Sequence, residues 1–152
     1  ISICGKFSVY IENIHGKLSI YQHCYKSGRG MKIITKKNAP KYERDNIRSF
    51  LLVAESTVGA KHITTSLVEM EPGGVQKPYH HKTEQCYTIL EGKGIMEVDG
   101  EKATVAAGDT IFIPSNSLHS LRNKSQMPLK YLSAGSPVFG IENERELWPL
   151  IP

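Results

Sequence analysis

The sequence predicts an all-β protein, a sandwich or barrel of short strands. Three observations lead there. Short runs of β-branched and apolar residues recur at near-regular spacing from residue 47 onward. Turn residues fall between them: Pro72-Gly73-Gly74, Asp99-Gly100 and Gly108-Asp109. Helical pattern is scarce, with one short candidate from Ile141 to Leu147, before Trp148-Pro149.

The first thirty residues read as a separate piece. Phe7 to Ile11 and Lys17 to Tyr21 are β-type runs, and Glu12-Asn13-Ile14-His15-Gly16 between them suits a hairpin loop. Ser27-Gly28-Arg29-Gly30 reads as a flexible joint, and Met31-Lys32-Ile33-Ile34 suits a natural start. The expected organisation is an N-terminal hairpin extension and linker over residues 1–30, then a barrel domain over residues 31–152. A lone hairpin is marginal in water. An ordered one is therefore expected to pair with a sheet edge or a second copy, giving a homodimer through strand pairing. His15 and His23 are read as surface residues.

The remaining strands follow in order. Ile47 to Ala54 and His62 to Met70 are rich in apolar and β-branched residues, and Pro72-Gly73-Gly74 ends the second run. Cys86 to Leu90 comes next. Ile95 to Val98 and Lys102 to Val105 flank Asp99-Gly100, a strong hairpin signal. Thr110 to Ile113, Leu118 to Leu121 and Leu129 to Ser133 complete the series. Met70, Met96, Ile111, Ile113 and Leu132 are the expected core. Phe112 alternates with Ile111 and Ile113, so both faces of that strand are expected to be covered.

Composition narrows the function classes. A chain of 152 residues buries a core without staples. The net charge of +4 is spread out, with its densest patch at Lys36, Lys37, Lys41 and Arg44. No aromatic platform or recognition helix accompanies that patch, so it reads as solvated surface and nucleic acid is not an expected partner. No apolar run is long enough to span a bilayer, and the start lacks the three regions of a signal peptide; no membrane partner is expected. The three cysteines, Cys4, Cys24 and Cys86, are far apart and odd in number, which fits a reducing cytoplasm.

Two stretches carry chemistry. The first is Gly73-x5-Tyr79-x-His81-x3-Gln85-x6-Gly92; the second is Gly108-x5-Pro114-x-Asn116-x2-His119-x3-Asn123. The strand period of two puts Tyr79 and His81 on one face, and a regular strand adds Gln85, Tyr87 and Ile89. His80, Glu84 and Cys86 then point the other way. Imidazole nitrogen ligates Zn, Fe, Cu or Ni well, whereas an amide oxygen is a weaker, neutral donor. His119, from another strand, closes the site from across the barrel.

These two stretches resemble the two motifs of the cupin superfamily, G-x5-H-x-H-x3/4-E-x6-G and G-x5-P-x-G-x2-H-x3-N. Every spacing is met over residues 73–123, with a looser fit from about 47 to 134. The resemblance implies a double-stranded β-helix, a small jelly-roll barrel. In the family, the two His and the Glu of the first motif and the His of the second bind a divalent metal. Here Tyr79 stands at the first His, Gln85 at the Glu and Asn116 at a turn Gly. Carried over, the metal positions are His81, Gln85 and His119, with Tyr79 as fourth ligand or nearby donor. His80 and Glu84 are alternates if the strand bulges or shifts by one residue. The implied cofactor is a divalent transition metal: Zn, Fe, Mn, Ni or Cu.

Tyr87 and Tyr79 are the nearby groups with a transferable proton and are the expected catalytic pair. The family menu includes isomerases, dioxygenases, decarboxylases and lyases, and fold alone does not choose among them. The resemblance leans toward a small oxygen-rich metabolite of sugar or uronate type as ligand. The alternative is a binding or sensing module for a sugar or organic acid, without chemistry of its own.

Overall fold

The computed structural model describes residues 7–14, 17–24 and 30–139, the first two stretches as strand backbone. The chain divides into two compact units between Ile33 and Ile34. In the first, β1 (Phe7–Ile14) and β2 (Lys17–Cys24) pair antiparallel from Phe7↔Cys24 to Ile14↔Lys17. Both strands run past their expected ends at Ile11 and Tyr21, so pairing takes up most of the segment read as a loop. His15, the joint before Gly30 and the expected helix at 141–147 lie outside the described residues, as does the side chain of His23.

The second unit is an all-β jelly roll. Its elements are β3 (Lys41–Arg44), β4 (Ile47–Val53), α1 (Glu55–Val58), β5 (Thr64–Met70) and β6 (Val75–Tyr79). They continue with β7 (Glu84–Glu91), β8 (Lys93–Val98), β9 (Glu101–Ala106), β10 (Thr110–Ile113), β11 (His119–Arg122) and β12 (Leu129–Ser136). One sheet has the order β10-β7-β12-β5-β4-β3 and the other β6-β11-β8-β9. Among the described residues no helix is long and apolar enough to cross a membrane.

Local chemistry explains the turns. Asp45-Asn46 and Asp99-Gly100 both hold positive φ and join paired strands through two-residue connections, Arg44↔Ile47 and Val98↔Glu101. β3 departs from expectation: its Lys, Glu and Arg look like loop, but it is an edge strand, where charge blunts unwanted pairing.

Alternation fills the interior. Ile47, Val68, Met70, Tyr87, Ile89, Ile113, Leu129 and Tyr131 from the larger sheet pack with Met96, Val105 and Leu121 from the smaller. Two expectations fail. Leu132 is only half-buried, because Tyr131 takes the inward position on β12. Phe112 is 60% exposed, because nothing among the described residues covers the outer face of edge strand β10.

The β7–β8 junction depends on Gly92. Its φ is +79°, and a Cβ there would lie 2.3 Å from the Pro128 carbonyl oxygen. Gly92→Ala therefore combines a left-handed penalty with a backbone clash, and is expected to cost roughly 2–4 kcal/mol. Urea denaturation should show the midpoint fall; an unchanged midpoint contradicts this packing.

Candidate functional site

β6 and β7 deliver most of the site. Gln85 and Tyr87 alternate inward on β7 and are buried. Gly135 of β12 lies opposite Gln85, and a Cβ there would meet the Gln85 side chain at 3.2 Å, so its absence makes room for that side chain. His81 stands between β6 and β7, where the expected regular strand is interrupted by residues 80–83. His119 opens β11 and pairs with Tyr79 of β6. The register between them slips before Leu121, which pairs with Gln76. This bulge turns both Tyr79 and Gln76 inward although they are three residues apart.

The three rings meet. His81 and His119 lie 5.0 Å apart between centroids, with Tyr79 at 5.5 Å from the first and 4.4 Å from the second. Phe139, which the sequence reading passed over, packs edge-on against His81 at 5.1 Å. Its backbone N–H donates to Thr64, while the Thr83 hydroxyl donates to Pro137 O, so the segment after β12 folds over this end. His80 and Glu84 are both exposed. The alternates are thus corrected: the bulge falls before Tyr79 and leaves Glu84 on the outward side of β7.

Both imidazoles are held through the same atom. His81 Nδ1 lies 2.7 Å from Thr83 O, and His119 Nδ1 lies 2.9 Å from Ser117 O. A carbonyl only accepts, so each neutral ring carries its proton on Nδ1 and a lone pair on Nε2. His119 Nε2 is buried without a protein partner. His81 Nε2 faces Gln85 Oε1 at 3.0 Å, one acceptor against another. A cation shared between them satisfies the pair, as does an amide turned to donate its NH2. Burial pushes the pKa of both histidines below the ordinary imidazole range, against the hydrogen bonds to the Thr83 and Ser117 carbonyls.

Among the described residues no three His, Cys, Asp or Glu side chains converge on a point; Tyr79 and Gln85 occupy two of the four positions. The available donors are two imidazole nitrogens and an amide oxygen, all neutral. That set suits a divalent transition metal, with less charge compensation than a carboxylate would give.

A chain of phenols and one amide leads away from the imidazoles. The Tyr131 hydroxyl donates to Gln76 Oε1 at 2.9 Å, and Gln76 Nε2 donates to the Tyr87 hydroxyl at 2.9 Å. Tyr87 and Tyr79 hydroxyls are 3.1 Å apart. Run in that sense, Tyr87 donates to Tyr79 and leaves the Tyr79 proton for a group in the cavity. Burial raises the pKa of all three phenols, most strongly for Tyr79 and Tyr131, so they stay protonated at neutral pH. Gln76 escaped the sequence reading because the bulge breaks the alternation that would have flagged it.

These groups border a cavity of about 270 Å³ between the sheets. Tyr79, Gln85, Tyr87 and Phe139 line it, whereas His81 and His119 do not.

The family model described as a cupin domain matches residues 66–135. An uncharacterized protein of Methanocaldococcus jannaschii is 42% identical over 64 residues, covering 42% of this chain and 51% of that relative. An RmlC-like cupin from Shewanella frigidimarina superposes with a TM-score of 0.62 at 15% identity, covering 72% of this chain and 93% of its own. The polyketide cyclase RemF from Streptomyces resistomycificus gives 0.62 at 21% identity, covering 70% and 80%. At these identities the solved structures speak for the fold.

Gln76→Leu leaves two buried tyrosine hydroxyls without their shared partner. The expected cost is roughly 1–3 kcal/mol of unfolding free energy, read by urea denaturation. A variant as stable as the parent contradicts the network.

Proposed function

This chain carries a small cupin-superfamily domain, and we propose that it works as a metal-dependent enzyme on a small oxygen-rich metabolite of sugar or uronate type. The metal would be held by Nε2 of His81, Nε2 of His119 and Oε1 of Gln85. The observation that carries this reading is the buried, unpartnered Nε2 of His119 on a ring whose other nitrogen is already committed to Ser117 O. When bound, a divalent metal supplies polarisation of a substrate oxygen.

The chain's own residues do the rest. Tyr79 holds its proton at the hydroxyl, between Tyr87 and the cavity, and offers it to a developing negative charge. Burial keeps the phenol protonated without a cation, so it serves there as a hydrogen-bond donor. It stands close enough to the imidazoles to act as a fourth ligand if it loses its proton to a metal. Tyr87, fed by Gln76, keeps that hydroxyl in place. Phe139 packs edge-on against His81 and holds the ring from that side. This chemistry suits enolisation, isomerisation or decarboxylation.

One observation favours a second reading. Asp45 is the one carboxylate lining the cavity among the described residues, and it is paired with Arg44 at 3.0 Å. A pocket without a free carboxylate base fits a binding or sensing module. A guest that raises the melting temperature equally with and without metal, and is recovered unaltered, would select that reading.

His119→Ala is expected to reduce bound transition metal to background while circular dichroism still shows a folded β protein. Elemental analysis of protein purified without a metal-affinity step checks this, and unmodified protein carrying no metal above background contradicts it. Gln85→Glu, by adding a charge to a neutral donor set, is expected to tighten divalent-metal binding about tenfold, or ~1.4 kcal/mol. Titration calorimetry reads this, and equal or weaker binding speaks against Gln85 as a ligand.

A further inference from the structure

The inner face of the larger sheet changes character along its strands. One cross-strand row is Ile47, Met70 and Leu129, wholly apolar and buried. The next is Ser49, Val68, Tyr131 and Ile89, and the one after it Leu51, Ser66, Ser133 and Tyr87. The interior is therefore plugged at one end and carries hydroxyls beyond it. The cavity of about 270 Å³ lies against those hydroxyls. It has room for about nine waters at their liquid volume, or a metabolite of similar size.

Ser49 is the anomaly on this wall. It is 1% exposed, alternates inward with Ile47 and Leu51, lines the cavity, and its Oγ has no hydrogen-bond partner. A buried hydroxyl left unpaired is costly, and Ala at this position would avoid the cost. A guest in the cavity removes it by supplying the missing partner.

The rim supplies a second requirement. Edge strand β3 brings Arg44 to the lining and edge strand β6 brings Lys77. Arg44 is engaged with Asp45, whereas Lys77 is exposed and has no ion-pair partner among the described residues. The lining is largely apolar, with Ile47, Leu51, Val68 and Phe139, and is interrupted by the hydroxyls of Ser49, Ser66 and Ser133. Unshielded positive charge at its rim matches an anionic end on a body that carries both apolar and hydroxyl faces.

We propose that this cavity binds a small polyhydroxylated carboxylate, with Ser49 Oγ pairing a hydroxyl of the ligand body and Lys77 meeting its carboxylate. Ser49 and Lys77 are then specificity-determining residues on the side of Tyr79 away from the imidazole pair. The inference deepens the small-metabolite reading of the site and does not depend on the metal.

Three six-carbon probes separate the contributions, measured by calorimetry on the full chain. D-gluconate carries both hydroxyls and charge, sorbitol hydroxyls alone, and hexanoate charge alone. Gluconate is expected to bind most tightly. Ser49→Ala should weaken gluconate and sorbitol about fivefold and spare hexanoate, as loss of one hydrogen bond predicts. Lys77→Glu should weaken gluconate and hexanoate about tenfold and spare sorbitol. Ser49→Ala should also melt no lower than the parent when empty, because it removes an unpaired buried hydroxyl. A marked fall in its melting temperature would show that Ser49 already has a structural partner and would overturn the assignment. Gluconate binding no tighter than either control, or unchanged in both variants, also overturns it. Binding that survives chelation and falls in Ser49→Ala supports the cavity site even if the metal reading fails. Binding abolished by chelation and indifferent to Ser49→Ala places the ligand on the metal and sinks this inference alone.

Discussion

Two backbone carbonyls govern the chemistry of this interior. Thr83 O and Ser117 O each take the Nδ1 proton of a histidine and so fix which nitrogen of His81 and of His119 keeps its lone pair. Neither carbonyl comes from the middle of a strand. One lies in the connection between β6 and β7 and the other just before β11, so sheet register brings them to the same place. The pairing Tyr79↔His119 carries this arrangement across from β11 to β6, and the rings of His81 and His119 settle 5.0 Å apart.

The same interior balances packing against polarity. Met70, Leu121 and Leu129 are fully buried and supply the apolar plug. Farther along the barrel, buried space goes instead to Gln76, Gln85, Tyr87, Tyr131 and His119. Each takes up volume that an aliphatic side chain would fill at lower desolvation cost. Most of that cost is offset by the hydrogen-bond chain from Tyr131 to Tyr79, whose members satisfy one another. Two atoms are left out of this accounting, His119 Nε2 and Ser49 Oγ. One stands among the aromatic rings of the site and the other on β4. Each costs stability unless a group from outside the protein pairs it.

The strands from β4 onward were mostly legible because their apolar residues follow the period of two and their turns carry Gly or Asp. Legibility failed where the local signal was polar. β3 is read as a basic surface run because an edge strand needs no apolar pattern on its open side. β6 contains Gln76, Lys77 and Pro78, and its bulge lies beyond any regular rule of alternation. His81, Gln85 and His119 were readable by spacing, which survives the irregular residues 80–83. Spacing says nothing of the partners that set their chemistry, so Thr83, Ser117 and Phe139 went unseen. Ser49 stayed hidden because one serine in an apolar run looks incidental until its burial and lack of a partner are known.

Tyr79 is where the departures from the family pattern acquire a physical sense. Its ring packs on His119 at 4.4 Å, while its hydroxyl reaches toward Tyr87 and the cavity. A histidine at that position would add a third nitrogen to the imidazole pair, but its shorter ring could not extend a hydroxyl to Tyr87. The tyrosine therefore acts as a partition: one face belongs to the histidines, and the polar tip belongs to the cavity. Gln85 stands in the same position between the two, near His81 Nε2 and also on the cavity wall. With a carboxylate there, the site would draw its charge balance from its own ligands. With an amide, the three donors are all neutral and leave a cation's charge uncompensated. The balancing charge would then have to come from outside the chain, through whatever reaches the cation from solvent or ligand.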